Sequence, residues 1–186
     1  STLFGIDVGA SSVKAQRGNK MIAFPSAVAP FERTGEDEMG GEMLRLSFAW
    51  GDQDVNVGRL ALLSRRVIPT VTNDKRIGGA QVTALYLAAI AFLSPDLPVV
   101  EASVVAGLPA RLWLDPAKRA ALPKNVNGTY VLRHHYGGEQ TVHLNIIQVQ
   151  SQPNAAVLDW VTDNDGQVIN DRYQLIGNEI GVVLDI

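Results

Sequence analysis

The sequence contains no cysteine, so disulfide bonds, thiolate zinc sites and cysteine nucleophiles are excluded. Positive charge is not in excess, because 16 Lys and Arg stand against 19 Asp and Glu, for a formal net charge of −3. A nucleic-acid footprint needs clustered Lys and Arg, so we expect no direct nucleic-acid binding. No apolar run reaches bilayer-spanning length, and residues 1–5 show no leader pattern. These absences predict a soluble cytoplasmic protein that does not enter a membrane.

The residues that are present describe a folded domain. A chain of 186 residues with 46% hydrophobic content is long enough to bury one core, or one core with a small additional lobe. Turn residues divide the apolar stretches into strands and helices. In chain order, the predicted elements are strands at 3–8, 13–15 and 21–24, a hairpin at 43–57, a helix at 79–93, a strand at 99–106, a helix at 115–122, paired strands at 126–135 and 142–149, a helix opening at 152, and a strand at 181–186.

Three of these elements carry more specific predictions. The helix at 79–93 is apolar on more than one side, so we expect it to be buried. The strand at 99–106 is a β-branched run, which predicts a central strand covered on both faces. The hairpin at 43–57 lies where a small inserted β lobe, at about residues 26–70, could leave the main sheet.

The opening stretch, residues 4–15, is an apolar strand, a turn of small residues and a second strand. Backbone N–H groups in such a turn converge on an anion, and Lys14 adds a positive charge, so the stretch suits phosphate. Asp7 would repel phosphate unless a cation lies between them. This predicts Mg²⁺, held through water because Mg²⁺ dehydrates reluctantly. An ordinary β-hairpin with one lysine would show the same pattern, so the motif needs agreement from the rest of the chain.

The last predicted strand repeats the design of the first. Residues 182–186 are an apolar strand with Asp185 just before its end, as Asp7 stands near the end of the opening strand. In a duplicated fold, the two strand ends would face each other across a nucleotide and place both carboxylates near one hydrated metal. Apolar strands often stop at an aspartate, so the repeat is also consistent with no shared site.

The pattern Asp-x-Gly-x-x-x-x-Lys at 7–14 resembles the first phosphate motif of the actin, sugar-kinase and Hsp70 superfamily. With the Gly-Leu-Pro at 107–109, the order of features resembles the N-terminal half of a prokaryotic actin-like protein of the plasmid-segregation and archaeal type. The matching positions are 7–14, 57–58, 79–93, 105–109, 152–153 and 185. The resemblance implies an α/β, RNase H-like (actin-like ATPase) domain in which a mixed sheet is flanked by helices.

The resemblance also implies ATP and Mg²⁺ as ligands and a role for each residue of the opening motif. Asp7 would orient Mg²⁺-bound waters. Gly9, Ser11 and Ser12 would cradle phosphate, and Lys14 would contact the β- and γ-phosphates.

Two further positions receive roles in the same way. Asp185 would be the carboxylate of the second phosphate motif, so Asp7 and Asp185 would together hold Mg²⁺ through water. Gln152 would orient the attacking water, since a glutamine cannot take the proton as a general base. A helix-entry residue without any catalytic role would look the same in the sequence.

The implied domain organisation is that residues 1–186 are the N-terminal domain (domain I), with 26–70 as a small inserted subdomain and the second domain absent from this chain. The implied partners are further copies of the protein, in a filament, and an adaptor protein that links the filament to DNA. Two other functions stay open: a small-molecule kinase of the same superfamily, and a non-enzymatic interaction module that keeps the fold. A kinase normally needs a catalytic Asp, and residues 107–109 offer Gly-Leu-Pro where it would be expected.

Overall fold

The computed structural model describes residues 1–32, 46–66, 77–135, 137–152 and 167–171. The elements in these ranges are β1 (Thr2–Val8), β2 (Ser12–Arg17), β3 (Lys20–Pro25), β4 (Val28–Pro30), β5 (Ser47–Trp50), β6 (Gln53–Val57), α1 (Arg59–Leu63), α2 (Ala80–Leu93), β7 (Val99–Leu108), α3 (Ala110–Trp113), α4 (Pro116–Val126), β8 (Gly128–His134) and β9 (Glu139–Ser151). Most of the helix predicted after Gln152 and all of the strand predicted at 181–186 lie outside the described residues.

The described strands form one mixed sheet in the order β3-β2-β1-β7-β9-β8-β5-β6-β4. β1, β7 and β9 are parallel neighbours at its centre, and every other pairing is antiparallel. Parallel neighbours must be joined by long crossovers, and here the first crossover carries β2 to β6 and helices α1 and α2. The predicted mixed sheet with helices is therefore confirmed.

Helix α2 is the centre of the hydrophobic core. It begins after Gly79, and eleven of its fourteen residues are buried, which confirms the predicted helix and its burial. Its C-terminal end is held by side chains from two strands. Arg17 Nη1 donates to the Leu93 carbonyl at 3.0 Å, and Gln140 Nε2 donates to the Ser94 carbonyl at 2.7 Å. These bonds satisfy carbonyls that a helix end leaves without partners.

Strand β7 is central, as predicted, but the expectation that both of its faces are covered is wrong. Its side chains alternate between buried and partly exposed, and Val99 is 53% exposed. The buried members share the core with α2, so the core lies on one face of this strand. A β-branched run does not distinguish one covered face from two. Glu101 and Ser103, which interrupt the run at alternate positions, are the signal that indicates the outer face.

The β4-β6-β5 edge lies within residues 26–70, where the sequence predicts an inserted lobe. These strands continue the sheet, but β5 joins β8 through only two residue pairs, Phe48 with His134 and Ala49 with Arg133. His135, just after β8, adds a side-chain contact to this pairing, because its Nε2 lies 2.5 Å from Asp54 Oδ1 on β6. The assignment of 26–70 to a separate subdomain stays a prediction.

The segment between β7 and β9 largely follows its sequence signals. Asp115 caps α4 by accepting from the Ala117 and Lys118 backbone N–H groups, as an N-cap aspartate followed by proline predicts. The helix runs on to Val126, past the predicted end at residue 122, with Pro123 inside it. β8 and β9 then pair as the predicted antiparallel strands. Among the described helices, none combines the length and the apolar character that crossing a membrane requires.

Candidate functional site

The carboxyl ends of the three parallel strands bring together residues that are far apart in the sequence. Asp7 lies near the end of β1 and is paired in register with Gly107 of β7. Gly107 is in turn paired with Gln150 of β9, and Gln152 follows directly after that strand. Ligands of open α/β sheets bind at the carboxyl ends of the parallel strands. The predicted residues Asp7 and Gln152 therefore meet where a ligand site is expected.

Asp7 and Gln152 are in direct contact. Gln152 Nε2 donates to Asp7 Oδ1 at 2.5 Å, although the two residues are 145 positions apart. Both side chains are only partly buried, so they remain open to a ligand. The resemblance assigned these residues to one site, and the geometry of the chain brings them together.

Gly107 leaves the space in which the Asp7 carboxylate lies. A Cβ at this position would lie 2.8 Å from Asp7 Oδ1 and 3.2 Å from Asp7 Cγ. Real Cβ atoms do not approach so closely, so any other residue at 107 would displace the carboxylate. The glycine of the Gly-Leu-Pro motif thus has a steric function in the site.

The small-residue turn between β1 and β2 is compact because of Gly9. The Gly9 N–H donates to the Ser12 carbonyl at 3.0 Å, and a Cβ on Gly9 would lie 2.7 Å from that oxygen. Since the Gly9 N–H is engaged within the turn, Gly9 supplies space rather than a donor. Ser11 is exposed and Ser12 is partly buried, so both border the open side of the turn.

Ser26 supports this turn from the opposite side. Its hydroxyl donates to the Gly9 carbonyl at 2.8 Å, and its backbone N–H donates to the Ser11 carbonyl at 3.0 Å. Ser26 is 2% exposed, so these two bonds form within the protein rather than at its surface. The sequence analysis missed Ser26, since a serine after a proline gives no signal that it reaches another turn.

Lys14 lies directly across from Asp7 in the β1–β2 pairing. Directly opposed residues of an antiparallel pair project from the same face of the sheet, within reach of each other. Lys14 is exposed, whereas Asp7 is partly buried. The Asp7 carboxylate and the Lys14 ammonium group therefore lie on the same face of the sheet, next to the turn.

Tyr86 of α2 is a core residue that is electrostatically coupled to Asp7, and no signal in the sequence connects it with the site. Its side chain is 1% exposed. Burial, and secondarily the negative charge of Asp7, raise the pKa of the Tyr86 phenol well above its ordinary value. A phenol of ordinary pKa is already neutral at pH 7, and the raised pKa keeps the Tyr86 phenol neutral at alkaline pH as well. In the sequence, the helical spacing of apolar residues predicts only that Tyr86 belongs to the core.

We expect Tyr86→Phe to flatten the alkaline loss of stability. The unfolded chain releases the tyrosine proton above about pH 10, while the folded chain keeps it because the folded-state pKa is raised. The free energy of unfolding contributed by this group is therefore complete below pH 10 and falls as the pH rises further. Urea unfolding of both proteins from pH 8 to 11 measures the slope.

Tyr130→Phe is the matched control for this experiment. Burial also raises the pKa of Tyr130, and a hydrogen bond with Thr83 opposes that shift. Tyr130 is only partly buried, so its removal should change the slope less than the removal of Tyr86. An unchanged slope in Tyr86→Phe would contradict the assignment.

The described residues suit a hydrated magnesium ion and phosphate. Asp7 provides a carboxylate oxygen, Lys14 a cation, and the Gly9 turn a surface free of bulk, which is the chemistry that Mg²⁺ with phosphate requires. The described ranges contain no group of three or more His, Cys, Asp or Glu side chains that could hold a metal ion. Asp185, the second predicted carboxylate, lies outside the described residues, and its role stays a prediction.

The comparison with family models identifies the chain. Residues 5–156 match the model for the N-terminal domain of actin-like proteins, which is more than half of the chain. The chain belongs to this family of actin-like proteins. The match includes Asp7, Lys14, Gly107 and Gln152, so the resemblance drawn from the sequence is confirmed. A search of curated proteins found no match.

Solved structures of actin-like proteins share the fold. The apo ParM protein of pSK41 superposes with a TM-score of 0.67 at 19% identity, over 90% of this chain and 54% of its own. A ParM filament from Clostridium botulinum gives 0.70 at 18%, over 87% and 50%. The ADP complex of Ta0583, an archaeal actin homolog, gives 0.59 at 16%, over 96% and 48%.

These likenesses, at identities below 20%, concern the fold alone. The chain spans about half the length of the structures that it matches. The predicted actin-like architecture is therefore confirmed, while the activity of the whole protein is a separate question.

Proposed function

We propose that this chain is the first domain of a cytoplasmic actin-like ATPase that assembles into filaments for DNA segregation or a cytoskeletal role. The observation that carries the proposal is the contact between Asp7 and Gln152 at the carboxyl ends of the parallel strands, in a chain of the actin-like family. In this proposal, residues 26–70 are an inserted subdomain, and a second domain outside this chain completes the nucleotide cleft.

In this proposal, the residues of the opening motif bind the metal and the phosphates, and Gln152 acts in hydrolysis. Asp7 holds the water shell of Mg²⁺, together with Asp185, and the turn at Gly9, Ser11 and Ser12 admits the phosphates. Lys14, exposed beside Asp7, pairs with phosphate oxygens. When bound, Mg²⁺ neutralises charge on the phosphates.

Gln152 positions the attacking water in this proposal. A side-chain amide can donate and accept hydrogen bonds but cannot take a proton at neutral pH, so its contribution is orientation. Its location after β9, within hydrogen-bond distance of Asp7, places the amide beside the predicted metal ligand.

Self-association and the nucleotide are supported by the structural relatives. One of them is a ParM filament, and another is a complex with ADP. In the proposal, ATP closes the two domains, and the closed subunits stack head to tail in a contact that does not close into a ring. An adaptor protein would link the filament to DNA, because the net charge of −3 gives no nucleic-acid footprint.

A small-molecule kinase of the same superfamily is the second candidate. A kinase needs a carboxylate that takes the proton of the substrate hydroxyl. Gly107, Leu108 and Pro109 stand at the end of the central strand instead, and the Asp7 carboxylate occupies the space beside Gly107. This observation favours the ATPase over the kinase. A non-enzymatic module is disfavoured because it would have no need of the Asp7–Gln152 arrangement.

Nucleotide-dependent assembly of the full-length protein tests the proposal. With Mg²⁺ and ATP or a non-hydrolysable analogue, the protein should pellet on ultracentrifugation above a critical concentration, and ADP should favour release. Lys14→Ala removes a charge from the phosphate site and should raise that critical concentration. Lys20→Ala, on the neighbouring strand away from Asp7, is the matched control and should leave it unchanged.

A different result would favour the kinase. A protein that stays monomeric at micromolar concentrations with every nucleotide, and consumes ATP only when a small hydroxylated metabolite is added, would contradict filament formation. A kinase closes around its substrate to exclude water and has no reason to assemble.

A further inference from the structure

The hydrogen bond between Gln152 and Asp7 engages two groups that the proposed function needs separately. Gln152 Nε2 is 2.5 Å from Asp7 Oδ1. An ionised carboxylate accepts hydrogen bonds and donates none, so only the amide nitrogen of Gln152 can face it. While this bond is made, the Gln152 donor points at a carboxylate rather than at a water molecule, and the oxygen that it occupies is one that metal-bound water would use.

We infer that this bond is a latch. In the nucleotide-free chain it keeps the Gln152 amide bound to Asp7, and it breaks when Asp7 instead accepts hydrogen bonds from the water shell of Mg²⁺. The inference rests on the proposed function, because it assigns a regulatory step to the same site. In this inference, Asp7 has two functions. It holds the water shell of the metal, and it keeps Gln152 inactive until the metal nucleotide is bound.

Gly107 strengthens the competition by restricting where the Asp7 carboxylate can lie. Its backbone approaches Asp7 so closely that a Cβ would be 2.8 Å from Oδ1, 3.2 Å from Cγ and 3.3 Å from Asp7 Cβ. The carboxylate is therefore covered on the β7 side. Donors that reach Oδ1 share the remaining approaches, so the Gln152 amide and a metal-bound water directed at Oδ1 compete for this oxygen.

Competition of this kind has a reciprocal consequence. If metal binding displaces Gln152 from Asp7, then Gln152 opposes metal binding by the same free energy. Removal of the Gln152 donor should therefore tighten the metal. A hydrogen bond to a charged group corresponds to about a tenfold to hundredfold effect on an equilibrium constant. A residue that merely helps to bind the metal would have the opposite effect when removed.

Gln152→Met in the full-length protein isolates the donor, because methionine keeps a similar length and cannot donate a hydrogen bond. The measurement is the dissociation constant of ADP by calorimetry, once with Mg²⁺ and once with EDTA. The metal coupling is the dissociation constant in EDTA divided by the dissociation constant in Mg²⁺. We expect Gln152→Met to increase this ratio about tenfold to a hundredfold. Gln148→Met is the control, because Gln148 is an exposed glutamine on β9, the strand that leads to Gln152. This substitution should leave the ratio unchanged.

A spectroscopic measurement on the unmodified protein provides a second, independent test. In protein labelled with ¹⁵N-glutamine, the side-chain amide resonance missing from Gln152→Met identifies Gln152. Magnesium with ADP should shift this resonance more than ADP with EDTA does, since only the former displaces the amide from Asp7. Equal shifts under the two conditions would overturn the latch.

The remaining outcomes separate the latch from the proposed function. If ADP binds more tightly with Mg²⁺ but Gln152→Met leaves the ratio unchanged or lowers it, the latch is wrong and the nucleotide site stands. If the protein binds no ADP, or binds it equally with and without Mg²⁺, both the latch and the proposed function are wrong.

Discussion

Replacement of Gln152 with alanine should slow ATP hydrolysis by the full-length protein about a hundredfold, a loss typical of a misplaced reactant. Nucleotide binding should not weaken, because in the proposal the amide acts on the attacking water and contributes no phosphate contact. Its location beside Asp7, directly after the end of β9, supports this role. Single-turnover hydrolysis and equilibrium binding, measured on the same preparation, separate the two effects.

Asp7→Ala is the contrasting variant for that experiment. It removes the carboxylate that would hold the hydrated metal, so it should weaken Mg²⁺-dependent nucleotide binding rather than only the chemical step. Equal losses of affinity in Gln152→Ala and Asp7→Ala would show that the two roles are assigned wrongly.

Gly107→Ala should lower Mg²⁺-dependent nucleotide affinity by about tenfold to a hundredfold, the usual cost of disturbing a group that orients a metal ligand. The added methyl carbon would lie 2.8 Å from Asp7 Oδ1, so the carboxylate must move. Gly107 is not at a positive φ angle, so backbone strain does not contribute to this effect. Calorimetry with Mg²⁺-ADP and with ADP in EDTA should show the loss only when the metal is present.

Gly5→Ala is the control for this variant. Gly5 pairs with Val105 across the same two strands, and a Cβ at Gly5 would have no atom within 4 Å. The substitution should therefore leave both affinities unchanged. A loss of metal-free and metal-dependent affinity of the same size in Gly107→Ala would instead indicate a general disturbance of the sheet.

Local structure could be predicted from the sequence because neighbouring residues determine it. The three strands β1 to β3 follow from apolar alternation and from the turns at 9–12 and 17–20, and their antiparallel pairing follows from short connections. Lys14 could be placed beside Asp7 for the same reason. The burial of α2 was predictable because its apolar residues surround the whole helix.

The contacts that shape the site could not be predicted in the same way. Gln152 was assigned by resemblance, and nothing in residues 7–14 indicates that its amide reaches Asp7. The steric function of Gly107 depends on the parallel β1–β7 register, which strand patterns do not determine. The extension of α4 through Pro123 was missed because a proline usually ends a helix unless packing compensates.

The parallel arrangement of β1, β7 and β9 also determines when the site can exist during synthesis. Asp7 emerges from the ribosome before Gln152, which follows 145 residues later, and β9, which leads to Gln152, cannot pair with β7 until β9 has itself emerged. At about 5–20 residues per second, roughly 7 to 30 seconds separate the two. The β1–β2 hairpin, whose contacts are local, can form during this interval, whereas β1 must wait for β7 to arrive as its parallel partner. A nascent chain therefore presents Asp7 and Lys14 without Gln152 until β9 has paired with β7.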